Sequence, residues 1–162
     1  MRIEQITEKF QIDVGAPTPT ILSNEHILYL IFYVSNVDPN WDGTSVHMRT
    51  DNDDGIVTIK FHSFEQFKFG SPNDEAINGH PLYKLGLEPY SIQKVIGSEW
   101  IKELTKMNSV HPYHKDELFE KYEHFIFFFH DRCFEIVAEG YSIEENSESN
   151  MRDEIQRIGK LI

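Results

Sequence analysis

The feature that most restricts the fold lies late in the chain. There Phe125-Ile-Phe-Phe-Phe and Cys133-Phe-Glu-Ile-Val-Ala flank a polar break at His130-Asp131-Arg132. Two apolar arms rich in aromatic and β-branched residues, so closely spaced, read as an antiparallel hairpin. No glycine occupies the break, so an Asp-led turn with a bulge fits better than a two-residue primed turn. In the second arm Phe134, Ile136 and Ala138 alternate with Glu135 and Glu139, which predicts one buried face and one wet face. The run Phe127-Phe128-Phe129 puts at least one ring on the opposite face, where a helix of the same chain, a ligand or a second copy has to cover it.

More strands surround this hairpin. Residues 27–34 (ILYLIFYV) are apolar on both faces and read as a central strand. The segment Gly15-Ala-Pro-Thr-Pro cannot continue a ladder, so it separates this strand from a first one within residues 3–14. Val57, Ile59 and Phe61 alternate with Thr58, Lys60 and His62, and Phe67 and Phe69 keep the same parity, so one long strand or bent arm ends at Gly70. A weaker strand covers residues 90–96, after a turn-rich stretch.

Helices are fewer. Ser98 can cap a helix over 99–107 with Trp100, Leu104 and Met107 inward. A short one is expected near 115–122, with Leu118, Phe119 and Tyr122 inward. In the tail Met151, Ile155, Ile158 and Ile162 share one face behind an Asn150 cap, with Asp153 four residues before Arg157. Strands with separated helices predict an α+β fold: a single domain with a mainly antiparallel curved sheet, two short helices and a C-terminal amphipathic helix. Residues 1–145 form the α+β domain, and 146–162 are a linker and the terminal helix of that domain.

Charge narrows the function classes. The chain has 162 residues, with 27 acidic against 15 basic side chains and a formal net charge of -12. That argues against nucleic acid as a partner, because phosphate-backbone binders need Lys and Arg in excess. A single cysteine, Cys133, cannot form an internal disulfide. The longest apolar run is far short of the ~20 residues that span a bilayer, and MRIEQITEKF lacks the apolar stretch of a signal peptide. A cytoplasmic protein with no membrane partner is expected.

Candidate chemistry is sparse. Asp38-Pro-Asn-Trp-Asp-Gly43 opens like a calcium loop, but its twelfth position is Arg49 rather than a bidentate Glu. Asp51-Asn-Asp-Asp-Gly55 also lacks that Glu, and both stretches have the composition of ordinary turns. Four of the eight histidines, His111, His114, His124 and His130, fall within twenty residues. His111, His114 and His130 are the candidate metal ligands, with His80 or Asp131 able to complete a set. His130 and Asp131 are the candidate catalytic pair. Cys133 stands beside acids that raise a thiol pKa, so it reads as a quiet thiol. With no Walker loop, GxGxxG, GxSxG or HExxH, no cofactor is expected.

Residues 21–34, Gly79-His-Pro-Leu-Tyr, Asn108-Ser-Val-His-Pro and His124-Phe-Ile-Phe-Phe-Phe-His-Asp-Arg-Cys-Phe-Glu together resemble an uncharacterised family of small bacterial proteins. The resemblance implies a bacterial cytoplasmic origin. That family has no established activity, so no catalytic residue carries over. The favoured expectation is a non-enzymatic acidic protein-binding module, immunity- or antitoxin-like, that neutralises a basic protein partner. The alternative is a small metal-dependent hydrolase using the His cluster. A homodimer through the tail helix and the Phe-rich strand is a third expectation.

Overall fold

The computed structural model describes residues 1–35, 55–146 and 150–162. The two calcium-like turns fall on 38–43 and 51–55, so all but Gly55 of them lies outside the described residues. Among the described residues eight strands form one antiparallel sheet: β1 (Arg2–Ile6), β2 (Gln11–Ile12), β3 (Thr20–Ser23), β4 (Ile27–Ser35), β5 (Ile56–Gly70), β6 (Ser91–Ile96), β7 (Glu123–Phe128) and β8 (Cys133–Asn146). Their order is β1-β6-β7-β8-β5-β4-β2, and β3 pairs with β4 on the side where β2 does. The α-helices α1 (Glu99–Asn108) and α2 (Met151–Gly159) complete the regular structure of the described residues, with short 3-10 segments at 74–79, 83–85 and 116–119. This is the expected single α+β domain with a curved antiparallel sheet.

The long strands β5 and β8 produce the curvature. β4 pairs with β5 over Ile56–His62, whereas β7 pairs with β8 over Cys133–Ala138. The two arms of β5 therefore serve different halves of the sheet. Between them Ser63 takes a left-handed φ of 46°, opposite the Gly140 region, and the register shifts between Phe64 and Gln66. Such irregularities let a strand turn a corner and pass from one layer to the next. They also explain why Phe61, Phe64, Phe67 and Phe69 face the same interior although their spacing is not strictly alternate.

The halves then fold over each other. In sheet order β4 and β7 are three spacings apart, about 14 Å in a flat sheet. Yet the Phe32 ring of β4 lies 6.4 Å from Phe127 of β7 and 5.1 Å from Phe129, centroid to centroid. Phe61, Phe125, Phe134 and Tyr141 pack in the same interior, mostly edge-to-face or tilted. Edge-to-face pairs place the positive rim of one ring against the negative face of the next. Phe32, Phe61, Phe127, Phe129 and Phe134 are fully buried.

The outer face is covered in three patches, each by another segment of the chain. Ile77, Leu82 and Leu87 cover Ile126, Phe128 and Cys133. Trp100 and Leu104 of α1, with Phe119, cover Val137. Met151, Ile155 and Ile158 of α2 cover Tyr29, Ile31 and Ile56. Phe128 is thus covered within the chain, by 3-10 turns rather than a helix. The wet outer face expected for β8 is instead lined by the buried Cys133 and Val137.

Helix details differ in places from the sequence reading. Residues 116–119 form a single 3-10 turn, which points Phe119 inward and leaves Leu118 at 51% exposure. Met107 is exposed, because α1 reaches past the sheet that its first turns cover. α2 ends at Gly159, so Ile162 lies beyond it. The Asn150 cap forms, its side chain accepting from Asp153 N at 3.0 Å. Asp153 bonds the Asn150 side chain, while Arg157 bonds Glu154 and Glu144. Glu154 is buried under α2 and accepts from the Thr58 hydroxyl, which fastens the helix to β5. Among the described residues no helix is long and apolar enough to cross a membrane.

Folding over the interior makes Phe32 a stringent test. Phe32→Ala is expected to cost about 3–5 kcal/mol in urea or thermal unfolding, against well under half of that for the exposed Phe69→Ala.

Candidate functional site

Two histidine clusters lie on or beside the β7–β8 hairpin. The first is a buried polar seam on its outer face. Ser98, the N-cap of α1, accepts from Ile101 N at 3.4 Å and stands 2.9 Å from His124 Nδ1. His124 Nε2 faces Glu135 Oε2 at 3.0 Å. A carboxylate only accepts, so Nε2 donates the hydrogen of that bond. His80 approaches from the other side, its Nδ1 accepting from Leu82 N at 3.2 Å and its Nε2 lying 3.6 Å from Glu135 Oε1. Burial alone would raise the Glu135 pKa. Hydrogen bonds from His124 and then His80 outweigh it and hold the carboxyl well below the usual range.

Serine, histidine and a carboxylate joined in series are the residue types of an activated hydroxyl nucleophile. Burial decides against that use here. Ser98 is 4% and His124 3% exposed, and Trp100 packs edge-on against the imidazole with centroids 5.0 Å apart. The Ser98 oxygen is also committed to the helix cap. The seam joins α1, the 80–87 segment and both hairpin strands.

The second cluster is at the hairpin tip. Asp74 Oδ2 lies 3.0 Å from His130 Nδ1 and accepts from the Tyr90 hydroxyl, which is itself 2.9 Å from that nitrogen. Asp74 N also donates to the His130 carbonyl at 3.0 Å. Tyr90 holds a φ of 53°, a left-handed conformation costly for a bulky side chain. Its hydroxyl is pushed up to about 12 by burial and by the Asp74 carboxylate. Tyr90 and then His130 hold Asp74 below its ordinary pKa, and Asp74 raises that of His130. His130 Nε2 takes no part in these bonds, and the side chain is 40% exposed. Beside Tyr90 a groove of about 200 Å³ is lined by Ile6, Glu8, Phe10, Ile12 and Ile92.

The site residues expected from sequence divide between separate places. His130 meets Asp74 and Tyr90, while Asp131 is exposed and acts on His130 only through space. His111 and His114 stay together in the turn after α1, with His114 N donating to His111 O at 3.0 Å. His114 spends both ring nitrogens, on Asn108 and Asp116. Among the described residues no group of three His, Cys, Asp or Glu side chains is arranged to hold a metal ion. Burial, then Glu135, pushes the Cys133 thiol up, away from a reactive thiolate. Nothing in the local sequence around residues 74 or 90 marked them as partners of His130.

Two other tyrosines repeat the Tyr90 arrangement. Tyr122 donates to Glu65, and Tyr141 donates to Glu8 at 2.7 Å. Burial and the adjoining carboxylate raise both hydroxyls. Comparison with protein-family models, curated proteins and solved structures finds no match to this chain.

The Asp74–His130 pair sets a pH window. The His130 contribution is complete below the unfolded histidine value of about 6.5 and fades as pH rises through its raised pKa. The Asp74 contribution is complete above about 3.9 and fades as pH falls through its lowered pKa. NMR titration should find His130 above the ordinary histidine range, and Asp74→Asn should return it toward that range. Glu135→Gln should weaken resistance to acid unfolding, because the contribution of Glu135 persists below its unfolded value of about 4.3.

Proposed function

We propose that the protein is a non-enzymatic binding module for a basic protein. The observation that carries this reading is how the excess acid is accommodated. With 27 acidic and 15 basic side chains, cations are too few, and Glu65 and Glu8 take tyrosine hydroxyls instead. A hydroxyl satisfies a lone pair without neutralising charge, so these carboxylates keep their field. The deficit of cations is largest over residues 101–150, with 5 basic and 11 acidic groups. Most of that stretch is α1, β7, β8 and the loop between them. A fixed negative surface of this kind steers a basic partner and suppresses acidic ones.

The closed seam at Glu135 supports the same reading, since its hydrogen-bonding groups are spent within the fold. An immunity- or antitoxin-like role, masking a basic protein by charge complementarity, is the concrete form of the proposal. α2 does not serve as a detachable arm in it, because its apolar stripe is buried on β4 and β5.

The test is a binding isotherm against a Lys- and Arg-rich protein captured from lysate, repeated across ionic strength. Affinity should fall steeply as the Debye length shrinks from about 30 Å at 0.01 M to about 8 Å at 0.15 M. Salt-insensitive binding, or none, sinks the proposal. So does a stoichiometric transition metal in untagged protein that is lost in His111→Ala/His114→Ala, which would carry the hydrolase alternative instead.

A further inference from the structure

β5 is paired on both sides over only half its length. β4 accompanies it from Ile56 to His62, and β8 continues beside it to Gly70. Among the described residues no strand pairs with the other side of 64–70. That stretch presents backbone N–H and C=O groups at an edge, the template on which another strand can add. Phe67 and Phe69 are 36% and 42% exposed there, and both pack against Phe134, so the aromatic interior opens to solvent at the edge.

The outward side chains of the same stretch are held in place. Gln66 accepts from Trp100 Nε1 at 2.7 Å, and Lys68 Nζ is drawn 3.7 Å over the Trp100 ring. Glu65 accepts from the Tyr122 hydroxyl, a neutral donor that leaves its charge in place. The edge is thus preorganised, with its one cation drawn onto an aromatic face and its carboxylate met, among the described residues, by a neutral hydroxyl.

We infer that residues 64–70 are the docking edge for an extended strand of the basic partner. Apolar residues at alternate positions of that strand cover Phe67 and Phe69, and Lys or Arg between them meet Glu65. The inference rests on the binding-module reading and locates its contact. A foreign strand is favoured over a second copy by charge, because self-pairing brings together two chains of net charge -12.

The test uses the full chain and a synthetic peptide of alternating valine and lysine, with alternating valine and glutamate as control. Amide exchange followed by NMR should show protection within 64–70 with the lysine peptide alone, lost at high salt. Phe67→Ser/Phe69→Ser should weaken binding at least roughly tenfold. If that variant does not fold, the protection map of the unaltered chain decides. Lysine-peptide protection elsewhere on the surface overturns the edge assignment while leaving the acidic module standing. Failure to bind either the peptide or any basic protein removes both. Protection of 64–70 that grows with protein concentration in the absence of peptide makes the occupant a second copy and overturns the inference.

Discussion

The packing of Phe32 against Phe127 and Phe129 is the contact on which the rest of the structure depends. It requires two strands that are not neighbours in the sheet to face each other, so the sheet has to fold. Folding is possible because β5 and β8 turn a corner together near Ser63 and Gly140. Cross-strand hydrogen bonds alone would favour a gently twisted sheet. Burying five complete phenylalanine side chains, each worth roughly 1.5–3 kcal/mol over exposure, supplies the bias toward the folded arrangement.

Once the interior is inside the fold, the outer face becomes the problem. Its apolar patches are covered by α1, α2 and the 3-10 turns between β5 and β6. Polar groups are placed where the cover of α1 meets that of the turns, and Ser98, His124, Glu135 and His80 satisfy one another there. Leaving any of them unpaired under a cover would cost on the order of 1–3 kcal/mol. The seam therefore sets where each cover sits as well as how firmly. Glu154 does the same beneath α2, where Thr58 and Arg157 hold its carboxylate.

The surface follows from the shortage of cations. Lys94, Lys121 and Arg157 each take a carboxylate from another element, at Glu123, Glu139 and Glu144. Tyrosine hydroxyls serve Asp74, Glu65 and Glu8. A negatively charged surface and an aromatic edge beside backbone that no described strand pairs are then features of one scaffold. The corner that lets β5 leave β4 is also what exposes residues 64–70.

Much of this fold was legible in the sequence. Aromatic and β-branched runs marked β4, β5 and the β7–β8 hairpin, and Ser98 and Asn150 marked the starts of both helices, because these are signals between near neighbours in the chain. The run Phe127-Phe128-Phe129 showed that both faces of the hairpin must be covered. Which segment covers each face was not legible, since that depends on where the sheet bends. The same holds for the site. His130 was visible as a candidate, but its partners Asp74 and Tyr90 lie 56 and 40 residues away in the chain. They meet it only after β6, β7 and the 74–79 turn have packed. The sequence by itself determined the long apolar strands, the helix caps and the negative charge, because periodicity, capping and composition act locally or in bulk. Tertiary structure alone decided which carboxylate meets which donor and where the sheet keeps an open edge, because both depend on long-range register and on the turn taken at Ser63.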